Sequence, residues 1–168
     1  MRLLRKILGI AMILFSFVLF FTFFVIYQYD SDIAAVESGS FGADYQVDEI
    51  LFKYENDKAE IMFYRATDGS IVESQVKKIN IFGKTKYTNS NSSSSIVYAP
   101  EWTNIGSTLK YRIYRYESDI NYEDFGKYET RVYKLAFYYP LANEHSTSYI
   151  AIIDKSNNGT AHFADEIV

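Results

Sequence analysis

The chain has 168 residues, no cysteine and a formal charge of −4 at pH 7. Without thiols it can form neither disulfides, nor thiolate metal sites, nor a lipid-modified cysteine anchor. All 21 acidic residues but only 14 of the 17 basic ones lie beyond residue 27, so that portion carries −7, a balance that speaks against a nucleic-acid surface and against electrostatic docking on anionic lipid or wall polymer.

Residues 1–6 form a basic tip containing Arg2, Arg5 and Lys6. An apolar run without a charged side chain follows from Ile7 to Tyr27, and Asp30 and Asp32 come just after it. At ~1.5 Å rise per residue, a helix of that length reaches ~30 Å, the hydrocarbon thickness of a bilayer. Because cationic side chains are retained inside, the tip is expected in the cytoplasm and the remainder outside. A cleaved signal peptide has an apolar core of roughly 7–15 residues ending close to a small-residue cleavage site. Here the best candidate, Ile33-Ala34-Ala35, stands well past the run. The expectation is therefore a single-pass signal-anchor over 7–27 in the cell membrane. The lack of cysteine and the abundance of Ile, Lys, Asn, Tyr and Phe fit a bacterial cell envelope.

Residues 28–43, with Gly39 and Gly42, read as a juxtamembrane stalk, and 44–168 as one extracytoplasmic domain. Its aromatic and β-branched residues recur with period two, so the fold class is mainly β: a small antiparallel β-sandwich or partly open β-barrel behind one N-terminal transmembrane helix. Ile50 to Tyr54 and Glu60 to Ala66 flank the polar turn Glu55-Asn56-Asp57-Lys58. Asp68-Gly69 then leads into a third strand over 70–76, since both residues tolerate positive φ. Thr88 to Ser95 is a run of Asn, Ser and Thr that has no apolar area to bury, so a mobile loop is expected over 88–95. Leu109, Tyr111 and Ile113 alternate with Lys110, Arg112 and Tyr114, and Tyr133, Leu135 and Phe137 alternate with Val132, Lys134, Ala136 and Tyr138. Ile150 to Asp154 and Thr160 to Phe163 bracket Lys155-Ser156-Asn157-Asn158-Gly159 as another hairpin.

The candidate chemistry is sparse. His145 and His162 are the only histidines, each near acids, but no Gly-x-Ser-x-Gly elbow accompanies them, so an envelope hydrolase ranks third among the readings and a non-enzyme is expected. Asp119-Ile120-Asn121-Tyr122-Glu123 spaces oxygen ligands like a calcium loop, yet Asp124 stands where that loop needs glycine, and a solvated acidic turn is the better reading. No metal or cofactor is expected. Tyrosine is the unusual feature, with 16 in the chain. The alternation places Tyr114, Tyr116 and Tyr138 on an outer face with Arg112 and Lys134, the kind of amphipathic surface that recurs at protein interfaces. The leading expectation is an accessory protein binding another envelope protein through that face. The alternative is a module for glycan or a small ligand, with Trp102 and the tyrosines as stacking platforms.

Overall fold

The computed structural model describes all residues except 1, 27, 40–45, 94–100, 126–127, 129, 140–142 and 164–168, together with the side chains of all described residues but 2–4, 22–26, 124 and 139. Among the described residues two α-helices and nine strands follow one another: α1 (Arg2–Ile26), α2 (Asp32–Gly39), β1 (Val47–Glu55), β2 (Ala59–Ala66), β3 (Ile71–Ile81), β4 (Lys84–Ser93), β5 (Thr103–Ile105), β6 (Leu109–Tyr114), β7 (Thr130–Tyr139), β8 (Glu144–Asp154) and β9 (Thr160–Phe163). The strands form two antiparallel sheets, β4-β3-β2-β1-β9 and β5-β6-β8-β7. The expected mainly β fold is thus present.

The sheets face each other across a core built from alternate residues of both. Phe52, Ile61, Phe63 and Ile71 of the first sheet meet Leu109, Ile113, Leu135, Phe137, Ile150 and Ile152 of the second. Phe63 and Phe137 lie ring to ring at 5.9 Å, tying β2 to β7. Polar clasps close two margins of this core. Asp154 accepts hydrogen bonds from Tyr54 Oη at 3.2 Å, Asn56 Nδ2 at 2.9 Å and the Ser156 N–H at 2.8 Å. Elsewhere the Tyr111 hydroxyl donates to Glu73 and accepts from Gln75 Nε2 at 2.6 Å. Burial and the adjacent Glu73 charge both push the Tyr111 phenol up, and burial likewise raises the Glu73 carboxyl.

Four expectations change. First, α2 is no stalk: Ser31 caps it, its Oγ accepting from the Ala34 N–H at 3.1 Å, and Ala35 and Val36 are fully buried against Met62, Tyr64, Val72 and Val76. Gly39 comes so close to Asn89 that a Cβ would lie 2.2 Å from its Nδ2. Just before the helix, Tyr29 pairs with Tyr87 of β4 through two backbone hydrogen bonds of 2.9 and 3.0 Å. Second, Thr88 to Ser93 belong to β4 and not to a loop, while 94–95 lie outside the described residues. Polar side chains hold this edge: Ser74 and Ser92 hydroxyls meet at 2.7 Å, and Ser90 Oγ donates to the Gln75 carbonyl at 3.0 Å. Third, β9 does not pair back on β8. It crosses to β1 of the other sheet, with Phe163 opposite Phe52, because the Asp154 clasp and an Asn158–Asp57 hydrogen bond direct the turn toward the β1–β2 corner.

The fourth concerns α1. Among the described residues no helix is long and apolar enough to cross a membrane. From Ile7 to Phe21 the helix carries a run of large apolar side chains. Those side chains are exposed all round, from 53% at Leu19 to 70% at Ile13, and none joins a hydrophobic cluster of the β domain.

Candidate functional site

The outer face of the second sheet is where the sequence places Arg112, Tyr114, Tyr116, Lys134 and Tyr138, and the structure divides them. Register sets Arg112 opposite Ala151 and Tyr114 opposite Tyr149, with Val132 and Lys134 on the far side of β8. The segment after β6 folds back over this half of the face in two short 3₁₀ turns, Glu117–Asp119 and Tyr122–Phe125. Ile120 and Phe125 tuck in from it and, with Ala151, cover Tyr114, which is fully buried. Tyr114 is therefore a core residue, contrary to its expected place at an interface. Its ring carries the Arg112 guanidinium at 4.8 Å, a cation–π contact on a half-buried arginine. Trp102 is half-buried and meets Phe125 edge-on at 5.9 Å, so it too belongs to the cover.

The acidic turn read as a poor calcium loop is this same cover. Alternation with apolar residues explains it: Asp119, Asn121 and Glu123 face water while Ile120 and Phe125 face the sheet. Among the described residues no group of three His, Asp or Glu converges as a metal site.

Tyr116, Lys134 and Tyr138 are exposed, as expected. β7 and β8 stay paired from Lys134–Tyr149 to Tyr139–Glu144, past the last β6 pair at Tyr114–Tyr149, so the hairpin overhangs the sheet. On this overhang the Tyr138 ring stacks on His145 at 4.9 Å, and its hydroxyl donates to Asn143 Oδ1 at 3.0 Å. The other histidine lies on the first sheet, where His162 Nε2 sits 3.2 Å from Glu55 Oε1. Asp165 and Glu166, the acids that follow it in the sequence, lie outside the described residues.

A cluster that sequence reasoning missed centres on Glu60. The residue is fully buried on the outer face of the first sheet, and neither carboxylate oxygen has a hydrogen-bond partner among the described residues. Lys78 Nζ approaches it at 3.6 Å while also pairing with Glu55, and Lys53 Nζ lies 3.2 Å from Asp32 of α2 and 3.7 Å from Glu55. Burial, reinforced by the nearby Asp32 charge, pushes the Glu60 carboxyl up to about 7, with Lys53 and Lys78 acting in the opposite sense. Burial also works against Asp32 ionising, yet the Ile33 N–H and the Lys53 ammonium hold it below the usual carboxylate range. A groove of about 420 Å³ opens beside Lys78, lined by Glu55, Asn56, Asp57, Asn80 and Tyr87 among others. The one sequence signal for Glu60 is a carboxylate in a strand whose neighbours on both faces are apolar.

Comparison with protein-family models, with curated proteins and with solved structures finds no match. The reading of function rests on this chain's own residues.

Proposed function

We propose that the chain is a membrane-anchored accessory protein of the cell envelope, its β domain held outside the membrane to bind another envelope protein. The observation that carries this reading is the stretch of α1 from Ile7 to Phe21, whose large apolar side chains are exposed on every face and enter none of the described cores of the β domain. A helix apolar all round is stable only in apolar surroundings. In sequence the run continues uncharged to Tyr27, long enough to cross a bilayer, with its basic flank on the N-terminal side. Anchoring in one leaflet concentrates the domain against membrane-bound partners without any new contact.

The overhanging β7–β8 hairpin supplies the contact surface in this proposal. Lys134 and Tyr138 stay in it, joined by His145; Tyr114 and Trp102 drop out because the 117–125 segment packs on them, and Arg112 because its guanidinium lies on the buried Tyr114 ring. Cross-linking in intact cells, followed by purification of the full-length protein, tests the reading against a Lys134→Glu/Tyr138→Ala variant. One stoichiometric membrane protein recovered with the unmodified chain and lost with the variant is expected. The same protein recovered equally with both removes this face from the interface. No specific protein in either sample overturns the accessory role and turns attention to glycan titration.

A further inference from the structure

β3 and β4 outrun their sheet. The last β2–β3 pair is Ala59–Lys77, and the Lys78 N–H still bonds to the Lys58 carbonyl at 2.8 Å, but the β3–β4 pairing continues through Ile79–Lys86, Asn80–Thr85 and Ile81–Lys84. The result is a two-stranded ribbon projecting past β2. It closes on Phe82-Gly83, both at positive φ, 51° and 80°, as a two-residue hairpin turn requires. Asparagine is the usual partner of glycine in such a turn, and aromatic side chains rarely adopt that backbone conformation. Phe82 nonetheless occupies it and is 95% exposed, the most exposed large apolar side chain of the β domain.

One ribbon face pairs Ile79 with Lys86 and Ile81 with Lys84, and Lys77 stands two residues before Ile79 on the same side. Lys86 is engaged by Asp30, whereas Lys84 is exposed beside the tip turn and Lys77 is exposed at the base of the ribbon. Lysines on an edge strand discourage edge-to-edge pairing, which accounts for Lys84 and Lys86. It does not account for an aromatic ring in water at the apex.

Position supplies the partner. Tyr29 follows the end of α1 by three residues and is bonded to Tyr87, five residues from Phe82. At ~3.4 Å per residue the tip lies within ~17 Å of the point where the chain joins β4. We propose that this ribbon is a lipid-binding foot. Phe82 enters the boundary between headgroups and acyl chains of the leaflet that α1 anchors, and Lys84, directly after the turn, meets anionic lipid phosphate. Amphipathic elements that lie in this interface combine the same apolar and lysine groups. The charge of −7 on the portion beyond residue 27 keeps the remaining surface off an anionic leaflet, so the foot sets how the domain stands on it.

The inference rests on the membrane anchor, and the test separates the two. Because the chain has no cysteine, a single Phe82→Cys substitution can be labelled uniquely with an environment-sensitive fluorophore, as can Phe15→Cys in α1 and Tyr122→Cys in the segment that covers the second sheet. Each full-length protein is reconstituted in nanodiscs of phosphatidylglycerol and phosphatidylcholine, with and without headgroup-proximal nitroxide lipid. Expected is strong quenching at Phe82→Cys, reduced by about half or more on adding Lys84→Glu, with Tyr122→Cys unquenched. Quenching by acyl-chain nitroxide at Phe15→Cys but none at Phe82→Cys overturns the foot, leaves the anchor standing and points the tip at a protein pocket instead. No quenching at either position overturns both.

Discussion

Glu60 dominates the pH response expected of the β domain. Burial, with the Asp32 charge next in weight, raises its carboxyl from 4.5 to about 7; Lys53 and Lys78 oppose the shift, and Glu55 adds to it. An acid whose pKa is higher in the folded state binds its proton more tightly there. Its contribution to stability is therefore fully present below the unfolded value and is lost as pH rises through the folded one. Between those limits the loss amounts to about 3 kcal/mol at ~1.4 kcal/mol per unit. Urea unfolding of the wild-type chain should show midpoints falling from about pH 4.5 to 7, and Glu60→Gln should flatten that slope. An unchanged slope in Glu60→Gln would assign the titration to another group. Asp32 acts in a different window, since its lowered pKa gives stability lost only in more acidic solution. At the opposite margin, a Cβ on Gly159 would stand 2.2 Å from Tyr54 Oη and 2.3 Å from Asp154 Oδ2. Gly159→Ala should force the clasp apart and cost about 1–3 kcal/mol, read as a lower urea midpoint at constant slope.

At the scale of elements, each sheet is covered on part of its outer face as well as on its inner one, and this is where the sequence was hardest to read. The strands whose apolar residues alternate, such as Leu109-Tyr111-Ile113 and Leu135-Phe137, were legible because one side chain in two meets the inter-sheet core. Tyr114 lies on the opposite phase and was read as exposed. Its burial depends on Ile120 and Phe125, a tertiary cover that no period within β6 reveals. β4 was illegible for another reason: backbone pairing and Ser–Ser and Ser–backbone hydrogen bonds, not apolar burial, hold Thr88 to Ser93 at the edge. Of the candidate interface, Lys134 and Tyr138 could be read from the letters, whereas Glu60 and Phe82 required the register. The cover makes its own prediction. Phe125→Ala removes the ring that packs on Trp102 and over Tyr114, and should destabilise by about 3 kcal/mol while shifting tryptophan emission to the red. Unaltered emission would show that Trp102 and Phe125 are not in contact in solution.

For the whole molecule, the β domain begins between α1 and Tyr29, upstream of the residue 44 that composition suggested. Every described residue from Tyr29 to Val36 that enters a hydrophobic cluster packs on the first sheet: Tyr29, Ala35 and Val36 contribute to the layer over Met62, Tyr64, Val72 and Val76. Asp32 and Asp30 add ion pairs to Lys53 and Lys86. By contrast no described side chain of α1 enters any of the three clusters. A chain beginning at residue 28 should therefore fold by itself, remain soluble and monomeric, and unfold cooperatively. A chain beginning at residue 46 keeps every strand but strips α2 from the outer face. Re-exposing Val36 and the side chains beneath it costs about 3 kcal/mol or more at ~25 cal/mol per Å² of apolar surface, and it leaves an apolar patch that favours association. Size-exclusion chromatography and urea denaturation of the two truncations should separate them clearly, the shorter being the less stable and the more aggregated. Equal stability would return residues 28–43 to the role of a stalk and leave the first sheet with an outer face that needs no cover.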